Sequence, residues 1–235
     1  MLLTRLPVGR VGGPADLARC VWAFPVVGLV VNGTGALVFW LLSMARVPPL
    51  LAAIWTLAAT LALTGALHED GLADTADGFG GGDNAARKLE IMRDSRIGTF
   101  GAAALVVSLM VRGAAVAALG SVLPALIVAG VLGRSAMIVP LLMLSPARGD
   151  GLGAAVGRPR ALRAAAGLGV GVVASYALLP VLPATASVAA AVGSALIVTG
   201  LAARQIGGYT GDVLGATEVV TECVVLTVLA GASGG

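Results

Sequence analysis

Asp70, Asp74 and Asp77 recur at i, i+4 and i+7 within the run His68-Glu69-Asp70-Gly71-Leu72-Ala73-Asp74-Thr75-Ala76-Asp77-Gly78-Phe79. On a helix this spacing puts three carboxylates on one stripe, where like charges repel. A hard divalent cation with oxygen ligands relieves such repulsion, so the stripe and the adjacent Glu69 form a candidate Mg²⁺ site. The bland alternative is a solvated acidic loop. Against it stands the concentration: seven of the twelve acidic residues fall between Glu69 and Asp94 in a chain that is only 11% charged.

Other polar groups could serve the same chemistry. Leu89-Glu90-Ile91-Met92-Arg93-Asp94-Ser95-Arg96-Ile97-Gly98 brings Asp94 and Arg96, and a later polar stretch carries Arg148 and Asp150 among glycines. A third, Gln205-Ile206-Gly207-Gly208-Tyr209-Thr210-Gly211-Asp212, precedes Glu218 and Glu222 on one helical face. Carboxylates holding Mg²⁺, with arginines near and glycines that admit backbone to phosphate, suit phosphoryl transfer, in which the protein mainly positions groups and neutralises oxygen charge. Arg134 lies mid-way through an apolar stretch, so it must either meet a buried acid such as Glu218 or Glu222 or hold substrate phosphate. Arg112 is nearer the end of its stretch and can snorkel. Asn32 reads as an interhelical hydrogen bond, and His68, the one histidine, as a boundary residue with a catalytic role left open. No P-loop, G-x-G-x-x-G or H-E-x-x-H pattern competes, and nothing calls for nucleic acid.

The elements that must position these residues are membrane helices. The chain has 235 residues, is 58% hydrophobic and has a mean hydropathy of +0.98, well outside the range of soluble domains. Windows of about 20 apolar residues, enough to cross a bilayer, occur near Val21–Met44, Pro48–Leu67, Phe100–Leu119, Ser121–Leu144, Ala164–Leu182, Ala184–Ala203 and Val213–Ala230. The sequence therefore predicts an all-α, polytopic bundle of about seven transmembrane helices in one membrane-embedded catalytic domain over residues 1–235. Twelve of the fifteen basic residues precede the first window or follow the second, fourth and sixth, whereas Arg46 lies opposite. By the positive-inside rule the N-terminus and the loops 68–99, 145–163 and 204–212 are expected in the cytoplasm.

Finer expectations follow. Gly78 to Gly82 should break the carboxylate helix, and Asp83 or Asn84 should cap a short amphipathic helix running to about Ser95, with Ala86, Leu89 and Met92 on its apolar side. That arm should return Asp94 and Arg96 toward the stripe. Residues 1–20 are too polar and broken by Pro7 and Pro14 to span, and should lie at the interface. No cleavable signal is expected. Gly167 and Gly171 have the spacing of a helix-packing face, while Cys20 and Cys223 read as reduced and structural.

The runs HEDGLADTADGFGGG and LEIMRDSRIGTFGA, Arg134 before PARGDGLG, and GGYTGDVLGATEVVTE together resemble the cobalamin synthase family, the adenosylcobinamide-GDP ribazoletransferases. The similarity extends from Thr4-Arg5-Leu6-Pro7 to the last span. It implies a Mg²⁺-dependent reaction of adenosylcobinamide-GDP with α-ribazole or its 5′-phosphate, giving adenosylcobalamin or its phosphate and GMP. On that footing Asp70, Asp74 and Asp77 would hold Mg²⁺, and Asp94 or one of the trio would take the hydroxyl proton. Arg96 and Arg134 would stabilise phosphate charge, with Arg148, Asp150, Asp212 and Glu218 completing the pocket. The resemblance also implies a bacterial or archaeal cytoplasmic (inner) membrane, and leaves open a homo-oligomer or association with other corrinoid-pathway enzymes. CDP-alcohol phosphotransferases share a D-x-x-D-G run, but their pattern continues in a way that Gly78-Phe79-Gly80 does not supply. A secondary transporter would place its acids nearer the midplane.

Overall fold

Apolar side chains with small residues between them leave the backbone one solution in a bilayer, which is to satisfy its own hydrogen bonds as helix. The computed structural model describes residues 3–5, 17–151 and 156–233. A short helical turn at Leu17–Cys20 and a 3₁₀ turn at Val21–Ala23 lead into α1 (Phe24–Met44), followed by α2 (Pro49–Thr64), α3 (Leu67–Gly81) and α4 (Ala85–Ile91). Then come α5 (Thr99–Ala118), α6 (Val122–Ala136) with its continuation α7 (Ile138–Met143), α8 (Ala161–Leu178), α9 (Val181–Ile206) and α10 (Gly211–Ser233). Among the described residues six helical stretches are long and apolar enough to cross a membrane, and α2 with α3 makes a seventh only as a pair bent by 91°. The all-α polytopic bundle predicted from the sequence is therefore present. The expected interfacial stretch 6–16, and Leu152–Ala155 of the loop after Ser145, lie outside the described residues.

Two helices form the centre. About seven in ten of the most apolar residues of α6–α7 and of α10 are buried, against a third or fewer in the other spans. Closest packing is between α1 and α6, where a Cβ on Gly28 would lie 2.2 Å from the Gly130 carbonyl oxygen; only glycine lets these backbones touch. Gly167 and Gly171 also lie on a packing face, against Ile138 and Ser135. Trp40, Trp55, Met110 and Leu182 point outward, as a surface facing hydrocarbon requires.

The bend between α2 and α3 sets up the site. Gly65 ends α2 at φ +68 and Ala66 follows at φ +57, a left-handed conformation that costs a residue with a Cβ about 1–2 kcal/mol. Two successive left-handed residues turn the chain, so α3 leaves the line of α2 and packs on α10 and α5. Unlike the sequence expectation, α3 continues through Gly78 and Gly80 to Gly81. A Cβ at Gly78 would lie 2.4 Å from Met92 and one at Gly80 2.6 Å from the Phe100 ring, so these glycines serve close packing rather than helix termination.

The loop then closes as its capping signal implies. Asn84 Oδ1 accepts from the Arg87 amide at 3.0 Å and starts α4, which stops at Ile91 rather than near Ser95. Leu89 and Met92 pack toward the core, while Ala86 is exposed.

Candidate active site

The polar loops meet at one end of the bundle. The Tyr209 amide donates to the Ser145 carbonyl at 3.0 Å and the Ala147 amide to the Tyr209 carbonyl at 2.8 Å, so the 145–150 and 207–210 stretches are joined. Arg93 forks onto Asp150 at 2.6 and 2.8 Å, adding the stretch after α4. Burial raises the Tyr209 phenol above its ordinary pKa.

This joining places Asp212 at the first turn of α10, where a carboxylate is favoured by the helix dipole. Its Oδ2 accepts from Arg148 Nη2 at 3.1 Å and from the Thr210 hydroxyl at 3.1 Å. Thr210 Oγ1 in turn accepts from the Val213 amide. Gly71 brings α3 to the same place, since a Cβ there would lie 2.8 Å from the Asp212 carbonyl oxygen. Asp70, Asp212, Arg148 and His68 thereby share the wall of one cavity of about 220 Å³.

One turn along α3, Asp74 is half-buried. Its carboxyl is pushed up to about 7, first by partial burial and then by the charges of Asp70, Asp212 and Asp77, against which Arg148 pulls the other way. Excess negative charge is thus concentrated on facing surfaces of α3 and α10. Among the described residues no three His, Cys, Asp or Glu side chains form a ready metal cage. The donor set suits Mg²⁺ in its usual protein manner, held by one or two carboxylates with water and substrate phosphate making up the rest.

Several predicted site residues stand elsewhere. Asp77 is buried, and its two oxygens accept from the Gly98 and Gly101 amides at 2.7 and 2.8 Å. It therefore caps α5 rather than standing free on the stripe. Asp94 and Arg96 share an outer cleft with Asp77 but bind each other, with Arg96 Nε and Nη2 at 3.0 and 2.7 Å. Those hydrogen bonds hold the Asp94 carboxyl down at about 2 and raise the pKa of Arg96. Asp150 is exposed, engaged by Arg93 rather than lining the cavity.

Glu69, Arg134 and Glu218 are part of a buried ionic layer. Arg134 pairs with Glu218 at 2.9 Å, with both side chains only 2% exposed. Arg112 reaches Glu69 at 2.9 Å and Glu222 at 3.3 Å, and Asn32 donates to Glu222. Asn32 is thus the interhelical bond its sequence position implied. Of the two partners open to Arg134, the structure shows the buried acid, with which it forms an ion pair. Glu69 spends one oxygen on Arg112 for the same reason: a buried charge needs its counter-charge more than a site needs another ligand. His68 lies between layer and cavity, with Nδ1 3.6 Å from Glu218.

Sequence reasoning missed the cavity's apolar walls on α1 and α10 and at the junction of α6 with α7, because in an apolar chain such residues carry no mark of their own.

Membrane-length helices around a cavity lined in part by carboxylates mark a polytopic membrane protein with its polar loops gathered at one end of the bundle. The chain belongs to the cobalamin-5-phosphate synthase family, whose profile matches residues 1–230. It is 47% identical over 234 residues to an adenosylcobinamide-GDP ribazoletransferase of Bradyrhizobium diazoefficiens, covering 97% of this chain and 90% of the relative. The enzyme of that name from Sinorhizobium medicae is 42% identical over 97% of this chain and 92% of its own length. That from Azorhizobium caulinodans is 45% identical over 91% and 84%. No solved structure matches the chain.

Proposed function

We propose that the protein joins adenosylcobinamide-GDP to α-ribazole or its 5′-phosphate, the nucleotide-loop assembly step of cobalamin biosynthesis, with Mg²⁺ as cofactor. Membership of the family supports the reaction; the convergence of Asp70, Asp74 and Asp212 with Arg148 is the observation that supports this placing of it.

Asp70, Asp74 and Asp212 would hold Mg²⁺ against the diphosphate. The ion would supply charge neutralisation on the phosphate oxygens when bound. Arg148, tethered to Asp212, is placed to meet a phosphate oxygen and to balance the carboxylates when substrate is away. A ribose hydroxyl of α-ribazole attacks the phosphorus nearer the cobinamide arm. A new P–O bond forms, the anhydride bond to the second phosphorus breaks, GMP leaves with that bonding pair, and the hydroxyl proton passes to a carboxylate of the set.

The orientation we infer puts this end of the bundle in the cytoplasm, supported by the basic residues gathered in its loops. Purified protein in lipid should release GMP from adenosylcobinamide-GDP only when α-ribazole and Mg²⁺ are both added. Release that ignores α-ribazole would defeat the reading.

A further inference from the structure

The cavity that Asp70 and Asp212 open onto has two chemically different kinds of lining. Besides the charged groups it is bounded by Leu3, Phe24, Leu67, Met137, Val156 and Leu214. Five of these, all but Leu67, are at most 7% exposed and belong to one packed cluster of the core. The apolar lining is therefore held in place by core packing.

Its size and lining discriminate among the groups that the two substrates carry. At about 220 Å³ it is below the usual range for drug-sized ligands, about 300–1,000 Å³. A corrin ring with its side arms cannot enter. Guanine would fit by size, but its ring edge carries amide and amino groups that need partners, and with Asp70, Asp212 and Arg148 engaged by cation and phosphate the rest of the lining, mainly leucine, methionine, valine and phenylalanine, strands them. A dimethylbenzimidazole has an apolar, flat bicycle with two methyl groups and no donor on its ring, so the same wall is complementary to it. With that base against the apolar side chains, its ribose is left to the polar groups of the lining. There His68 is 2% exposed and its Nε2 lacks a hydrogen-bond partner, leaving a polar atom available to a ribose hydroxyl.

We infer that this cavity is the subsite for the benzimidazole base of α-ribazole, and that Phe24, Met137 and Leu214 set which lower base the enzyme accepts. The inference rests on the proposed ribazole transfer. It assigns the corrinoid and the guanosine end of the other substrate to positions outside the cavity, so the nucleophile is held within and the electrophile approaches from the rim.

The test is a change of base preference. Full-length Leu214→Phe and Met137→Ala proteins, purified in lipid with Mg²⁺, are assayed with α-ribazole and with the riboside of unsubstituted benzimidazole. Filling the end of the pocket in Leu214→Phe should reduce kcat/KM for α-ribazole about 10- to 100-fold relative to the smaller riboside, the range that one or two methyl groups command in an apolar pocket. KM for adenosylcobinamide-GDP should stay within about twofold in the same range of reasoning. Met137→Ala should shift preference the opposite way, toward bases with bulkier 5,6-substituents, and remains informative if Leu214→Phe fails to fold. An unchanged ratio of the two ribosides in a folded variant would overturn the subsite, as would a variant that changed KM for the nucleotide substrate instead. Wild-type protein that turns over neither riboside would defeat the proposed reaction itself, a separate result from loss of the predicted preference.

Discussion

Two sets of ionisable side chains lie one above the other beside α10, and the protein treats them in opposite ways. In the deeper set every cation meets an acid: Arg134 with Glu218, and Arg112 with Glu69 and Glu222. In the set near the cavity, Asp212 pairs with Arg148 while Asp70 and Asp74 have no ion-pair partner, and partial burial followed by the neighbouring carboxylates raises the pKa of Asp74. Burial explains the contrast. Charges removed from water are held in direct ion pairs, here three acids about two arginines, whereas Asp70 and Asp74 keep contact with water. An ionisable residue inside a membrane helix marks function by default, but here the ion-paired groups are architectural and the unpaired carboxylates are the ones left for the proposed site.

The sharpest way to break this contrast is Arg134→Met. It strands Glu218, so stability should fall by about 3–5 kcal/mol, read as lost expression and a lower Tm. Arg134→Met with Glu218→Gln should restore folding, because the pair is removed together; continued instability of the double variant would show that the layer is more than charge balance.

Asp74→Asn should do the reverse, reducing turnover about 10²- to 10³-fold with Tm unchanged or raised, since a repelling charge has been taken out. Near-normal turnover at limiting Mg²⁺ would remove Asp74 from the metal set. Asp77→Ala tests the boundary between the two regions. Losing the cap of α5 should lower stability by about 1–2 kcal/mol, while activity per folded molecule is largely kept. A selective loss of activity would return Asp77 to the chemistry.

The smallest effect is one of pH. A carboxyl raised to about 7 holds its proton more tightly when folded than when unfolded, so metal-free protein should lose stability as pH rises from about 4 to about 7. Mg²⁺ competes with that proton. Its stabilising effect in thermal melts should therefore be weaker at pH 6 than at pH 8, by up to about tenfold in apparent affinity; equal affinity at both would separate Asp74 from the ion.

Much of this plan was written in residue types. Apolar length marked the spans, and the i, i+4, i+7 spacing put Asp70 and Asp74 on one face. What escaped sequence reading was set by long-range contact. Nothing in Gly98 or Gly101 announces that their amides will occupy Asp77. The paired acid of Arg134 could be narrowed to Glu218 or Glu222, but the choice depends on how α6 and α10 are rotated against each other. Ala66 is the hardest case, because an alanine at φ +57 has no local signal, and its conformation is imposed by the helices that α3 packs against.

That packing has a consequence for the order in which the enzyme is made. The partner that completes α3 is α10, the last helix described, so the acidic arm leaves the ribosome long before Asp212 exists to face it. Until then the arm has no wall opposite it at Asp212, and Gly71 has nothing to pack on. Contacts so distant in sequence form late, so a chain interrupted before α10 carries an acid-rich segment without a binding site. The acidic arm therefore gains its facing carboxylate only when α10 packs, so the last helix to be inserted is also the one that brings the polar groups together.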